Sequence, residues 1–431
     1  MEPLIDVSCD VTSYMKRRIA AVSRLTVLAA FLAACGGGDN PTAPITSVRN
    51  STLPAAMQML VGDAQMGYEG VAAPVAPSVR VVTADGIAVS GATVRFTPGA
   101  NSGSVTGGTV LTDANGVATV GSWVFGSATS QTLVATTDSL AGRAITFRAT
   151  VSTTRFSVTV RFIGDGGTDR QREAFTKAAA RWSRVIVGDI GTTPLNAPAG
   201  ECASWIPAVN ESVHNLLVFV RIAPIDGPAK IVGQASPCYV NSALKLPIMG
   251  FFELDQDDLT LMNDRGILDD VVLHEMGHIL GIGTLWNYQR SFLEGAGTDD
   301  PFFNGTGARA AFAAAGGAGF SGTAVPVENT GGTGTRDAHW RKSVFGNELM
   351  QGFAQPGGMP LSRITAASLQ DLGYTVNMGA TDSYSFLTSS IQADVALRSA
   401  ATVELGRDVA SAPLFEVNSS GTRRLVRPEL R

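Results

Sequence analysis

Histidine is scarce, with only 4 in a chain of 431 residues. A pattern that uses two of them within five positions therefore stands out from chance. Cysteine is equally rare at 4, and no close Cys-x-x-Cys spacing marks a cysteine metal site. No long basic run occurs and the net charge is -5. That excludes nucleic acid as a partner, because phosphate binding leaves a clustered Lys/Arg footprint. Beyond the first 35 residues no apolar run is long enough to span a bilayer. Aromatic residues make up 7% while Gly reaches 48 residues, a balance that favours turn-rich β-structure over a helical bundle. Apolar residues at 45% suffice for real cores, and the length exceeds what one ordinary domain takes.

The N-terminal stretch reads as a targeting segment. Lys16, Arg17 and Arg18 follow Met15, the expected start, and a short apolar run follows them, the charged and hydrophobic regions of a secretory signal. The run ends in Leu32-Ala33-Ala34-Cys35, then Gly36-Gly37-Gly38. This resembles a bacterial lipoprotein lipobox, which implies removal of residues 1–34 and lipidation of Cys35 as the first residue of the mature chain. The expected product is an exported lipoprotein of the cell envelope, at the outer membrane or cell surface or released from it, with its lipid as the sole membrane contact. Residues 36–50 are rich in Gly, Pro, Thr and Asn and read as a flexible tether. Two cysteines then remain downstream, Cys202 and Cys238, and in an exported chain such a pair is expected to form a disulfide.

Residues 51–152 are strand and turn. "ATVRFTP" alternates and puts Val94 and Phe96 on one face. Asp113-Ala114-Asn115-Gly116 sits between two short strands as a hairpin signal. Short strands at regular spacing suggest a sandwich. The stretch from "VTADGIAVSGATVRF" to "ANGVATVGSW" resembles bacterial Ig-like domains of the invasin group. The resemblance implies a spacer or an adhesive module with a surface ligand; it fixes fold better than function.

A different pattern begins near Phe156. "FSVTVRFIG" alternates as a strand, and "TDRQREAFTKAAARWSRVIVG" has a helical stripe of Phe175, Ala178, Ala179 and Trp182, with Thr168 and Asp169 as its cap. "NLLVFVRI" is a further strand. A single helix then covers Asp269 to Gly281. Its two leading acids suit the positive end of the helix dipole. His274 and His278 lie one turn apart on one face, so both imidazoles can reach one zinc ion. Glu275 lies beside them, placed to take a proton from zinc-bound water. This is the H-E-x-x-H arrangement of metalloproteases. Residues 287–337 are Gly- and Ala-rich and read as a long inserted loop region. The tail, 385–431, alternates weakly and has no legible structure.

The two histidines leave a third ligand to be found. In the compact metzincin pattern it falls three residues after the glycine, and Gly281 is present, but Thr284 occupies that position. The remaining histidines are His214, read as structural, and His339. Glu294 and Asp299 are carboxylate alternatives. His339 lies in "TRDAHWRKSVFGNELMQGF", with Met350 eleven residues further on. "HEMGHILGIGTLW", an insertion, then "AHW" and "NELM" resembles the leishmanolysin family of metzincin zinc peptidases over residues 156–384. The resemblance implies His274, His278 and His339 as ligands of one catalytic Zn²⁺, Glu275 as base, Met350 as the methionine of the turn beneath the metal, and protein or peptide substrates. Glu348 reads as structural, tied to backbone around that turn. The chain departs from the family in having few cysteines and no cysteine-switch propeptide. The expected whole is a multidomain protein, an all-β Ig-like sandwich followed by an α+β metzincin-type zinc protease domain. The competing readings are a surface adhesin on a degenerate zinc scaffold, and an envelope protein stapled by zinc.

Overall fold

The computed structural model describes residues 52–428 apart from 289–290, 322–323, 333, 387–402 and 406. Met15, the lipobox with Cys35, and the tether 36–50 lie outside the described residues. The described chain is multi-sheet, mostly β with some helices, and none of its described helices is long and apolar enough to cross a membrane.

Residues 56–151 form a sandwich with a core of its own. One sheet pairs Ala56–Val61, Ser78–Val82 and Val117–Thr119. The other runs Gln65–Gly67, Ile145–Val151, Ser130–Thr137, Thr93–Pro98 and Thr109–Leu111. Side chains alternate across each strand. Val94 and Phe96 are buried while Arg95 and Thr97 face water. Trp123 fills the centre and donates its indole N–H to the Ser102 carbonyl at 2.8 Å. The Asp113 carboxylate closes its turn by accepting from the Asn115 and Val117 amides, both at 2.8 Å.

The second body is built on a six-stranded sheet. Its elements in chain order are β1 (Val158–Ile163), α1 (Asp169–Val185), β2 (Leu216–Ala223), β3 (Gly233–Asn241), β4 (Pro247–Asp255), α2 (Leu268–Ile279), α3 (Arg363–Leu372), β5 (Leu414–Val417) and β6 (Arg423–Arg427). The strand order is β1-β2-β4-β3-β5-β6. β1, β2 and β4 are mutually parallel, β3 runs against β4, and β5 runs parallel to β3. β2 shows why its sequence is a continuous apolar run. Leu216, Val218 and Val220 face the helices, and Leu217 and Phe219 face the hairpin Thr192–Ala197/Val209–His214. A strand covered on both faces has no polar side to reveal.

Thr168 caps α1, its hydroxyl accepting from the Gln171 amide while the Gln171 side chain takes the Thr168 amide at 2.7 Å. Phe175, Ala178, Ala179 and Trp182 are its buried stripe. α1 packs on α2, and α2 on β3 and β4. The Trp182 indole N–H donates to the Leu273 carbonyl at 3.0 Å, which locks α2 one residue before its first histidine. Cys202 and Cys238 are disulfide-bonded, with Cα atoms 5.8 Å apart, and tie the loop under the hairpin to β3.

The segment after α2 is more ordered than its composition suggests. It carries a helix, Thr306–Ala314, and a small sheet of Leu293–Glu294, Phe302–Phe303 and Val325–Pro326. Asp371 of α3 accepts from the Gly307 and Ala308 amides at 2.8 and 2.9 Å, anchoring the start of that helix. The described tail residues are also placed: β5 and β6 complete the main sheet on the β3 side.

Candidate metal centre

α2 forms where apolar Leu268, Val271, Val272, Met276 and Ile279 bury one side, and Asp269 and Asp270 occupy its first turn. Burial pushes the Asp270 carboxyl up to about 6. His274 and His278 project from the same face. The helix stops because Gly281 takes φ 110°, a left-handed conformation natural only to glycine. That turn bonds the Ile282 amide to the Gly277 carbonyl at 3.1 Å and delivers the Ile282 carbonyl to Nδ1 of His278 at 2.8 Å. Thr284 donates its hydroxyl to the His278 carbonyl at 2.7 Å, so it secures the helix end.

Gly277 serves a different need. A Cβ there would lie 2.7 Å from Sδ of Met350, so the glycine lets that buried methionine pass directly beneath the helix. The Met350 carbonyl accepts from the Trp340 amide at 3.0 Å, which holds the methionine turn against the segment bearing His339.

All three histidines are completely buried and oriented alike. Nδ1 of His274 meets the Leu349 carbonyl at 2.6 Å, that of His278 the Ile282 carbonyl, and that of His339 the Thr335 carbonyl at 2.8 Å. With each Nδ1–H given to a carbonyl, each Nε2 presents a lone pair. The three Nε2 atoms converge to 3.0–3.1 Å of one another, near the ~3.3 Å edge of a tetrahedron whose metal–nitrogen arms are about 2.0–2.1 Å. A fourth donor completes the group. Oδ2 of Asp408 stands 2.9 Å from Nε2 of His339, 3.2 Å from His274 and 3.8 Å from His278. His274, His278, His339 and Asp408 together are a buried set suited to a metal ion.

Burial lowers His274 to about 4, against the pull of Asp408. Burial also opposes charge on His339, but the Asp408 carboxylate outweighs it and raises that imidazole. Asp408 itself is penalised by burial, yet the imidazoles hold it well below the usual carboxylate range. Glu275 is fully buried, and neither carboxylate oxygen has a hydrogen-bond partner among the described residues. Burial, then the charge of Asp408, drives its carboxyl well above the ordinary value. An orphaned, basic carboxylate beside a donor set is an arrangement found where a group waits for a reactant.

Glu348 supports the turn without touching the donors. It accepts from the Met350 amide at 2.6 Å, the Ser362 amide at 3.1 Å, the Ser362 hydroxyl at 2.7 Å and the Thr365 hydroxyl. Thr365 in turn accepts from the Trp340 indole at 2.8 Å. Glu348→Ala orphans buried donors, so it should destabilise the fold by about 3 kcal/mol. Urea unfolding checks this, and a loss below about 1 kcal/mol would show the network to be dispensable.

The carboxylates weighed as alternative third ligands are elsewhere: Glu294 and Asp299 are both exposed. His214 is exposed as well, at 2.9 Å from the Thr192 hydroxyl on the hairpin. Asp408 escaped the sequence reading because nothing in "GRDVAS" distinguishes it from the other acidic residues.

Against known proteins, the family model for leishmanolysin, a peptidase family, matches residues 206–386. That span includes Glu275, the three histidines and Met350, and it ends before Asp408. The match supports a leishmanolysin-like peptidase in this part of the chain. No curated protein matches.

Proposed function

We propose that the protein is a zinc-dependent endopeptidase acting on protein or peptide substrates. One observation carries the reading: the buried, unpartnered carboxylate of Glu275 beside three imidazoles whose Nε2 lone pairs converge. When bound, zinc supplies Lewis acidity, polarising a carbonyl and acidifying water. His274, His278 and His339 would hold it, oriented by the Leu349, Ile282 and Thr335 carbonyls. Glu275 takes the proton of the attacking water and passes it to the leaving amine as the C–N bond breaks. Its high proton affinity suits the first of these roles, and the dry surroundings keep the proton from leaking to solvent. Met350 and Glu348 keep His339 in place. The deciding experiment is cleavage of casein by the chain from residue 36 onward, with zinc content measured in the same preparation; metal-loaded protein that leaves casein intact counts against the reading.

The protein is further proposed to reach the bacterial envelope as a lipoprotein anchored through Cys35, with residues 51–152 as an Ig-like spacer ahead of the peptidase domain. Cells fed labelled palmitate should label the chain, and Cys35→Ser should abolish the label. Equal labelling of the variant rejects the anchor.

A further inference from the structure

Asp408 has no part in the chemistry just described, yet it occupies the centre of the site. Its side chain is wholly buried, Oδ2 faces all three Nε2 atoms, and Oδ1 has no hydrogen-bond partner among the described residues. A buried carboxylate is costly unless it is paired. The Nδ1 hydrogens of the imidazoles are committed to carbonyls, so an Nε2 can donate to this carboxylate only by carrying a further proton. One proton shared with His339 answers a single contact; a divalent cation at the common focus answers all four.

The main chain around Asp408 is seated with equal care. Val403–Glu404 pairs antiparallel with Phe353–Ala354, just past the methionine turn. The Ala235 amide of β3 donates to the Asp408 carbonyl at 2.7 Å, and the Ala410 amide donates to the Ala235 carbonyl at 3.0 Å. β5 continues along β3, with Phe415 opposite Tyr239. The segment is thus an added strand on the β3 edge, the place and manner in which an extended peptide docks on a sheet. Val409 also forms a wall of a cavity of about 390 Å³ beside Thr284, Trp286, Ala338 and Arg427. Arg407 holds φ 49°, a left-handed conformation unfavourable for a non-glycine residue, so the turn that presents Asp408 is imposed by its neighbours.

We propose that Asp408 is the fourth metal ligand of a resting state, and that residues 407–417 are a latch which occupies the substrate's sheet edge and the metal position that catalysis needs open. The inference rests on the peptidase reading. A site with four protein ligands is closed to substrate, so hydrolysis requires the latch to leave. The segment lies outside the span that matches the leishmanolysin model.

The test compares full chain, Asp408→Asn and Asp408→Ala, each purified in detergent and loaded with Co²⁺. Asn keeps the volume of the side chain, so it decides the matter where the Ala variant fails to fold. Both variants should keep one Co²⁺ per chain and show a visible spectrum different from that of the parent. Acetohydroxamate, a small metal chelator, should perturb the variants at lower concentration than the parent. For a latch shut in about 99 of 100 molecules the difference is about 100-fold. Casein hydrolysis by the zinc forms should rise by a similar factor, and added Glu275→Ala should erase the gain. Unchanged spectra and hydroxamate titrations overturn the latch, even if casein is cut and the peptidase reading survives. Loss of metal from both variants also overturns it, by making Asp408 a permanent ligand. Altered spectra and tighter hydroxamate binding without hydrolysis uphold the latch and remove the peptidase reading.

Discussion

Glu275→Ala should lower the rate of casein cleavage by about 10²–10⁴-fold, the usual contribution of a positioned general base, while zinc content stays unchanged. The expectation follows from what Glu275 does not do. Its oxygens bond to nothing among the described residues, whereas Nδ1 of each of the three imidazoles is matched to a carbonyl. Removing a carboxyl with no partners orphans no donor, so thermal stability should hold or rise slightly, whereas a structural glutamate such as Glu348 should lose stability on the same change. Activity and stability therefore separate. Activity within about tenfold of the parent would refute Glu275 as the base. A collapse of the fold would reassign it to structure.

His339→Ala should release the metal. Changes to groups that merely orient a ligand cost about 10–100-fold in affinity, and loss of a ligand itself should exceed that. The remaining histidines come from adjacent turns of one helix and hold a cation from one side only, which leaves Asp408 as the single donor opposite them. Zinc measured after dialysis against a mild chelator should fall to background in His339→Ala and stay at the parent's level in His214→Ala, since His214 is exposed on the hairpin. Retention of zinc by His339→Ala would move the third ligand to another residue.

The parts of the site that could be read in the sequence are those set by short-range geometry. Two histidines four apart on an apolar helix share a face whatever the rest of the chain does. His339 was legible because histidine is so rare and because the spacing to Met350 resembles a known pattern; from the residues alone Glu294 and Asp299 stayed open. Strand Thr93–Pro98 was legible because one face meets water and the sequence must alternate. Asp408 was not legible, since it is one of 37 acidic residues and its position depends on a parallel pairing between Phe415 and Tyr239, which no local pattern encodes. The Thr306–Ala314 helix was hidden for a different reason. Its Ala residues favour helix, but flanking glycines masked its ends, and its start is secured by Asp371 from the distant α3.

The wide spacing of the donors also bears on how the protein assembles. His278 and His339 are 61 positions apart, and Asp408 lies 134 beyond His274. Closing a flexible loop of that first length costs about 3–4 kcal/mol in chain entropy, a cost met only once the intervening segment has built its own aromatic core around Trp286, Phe303 and Trp340. A metal arriving early finds two imidazoles; one arriving late finds the complete set. Capture of an ion at this site would thus be a late folding event, its free energy spread over the whole insertion. Ion affinity here would be a report on completed folding as much as a property of the side chains that hold the ion.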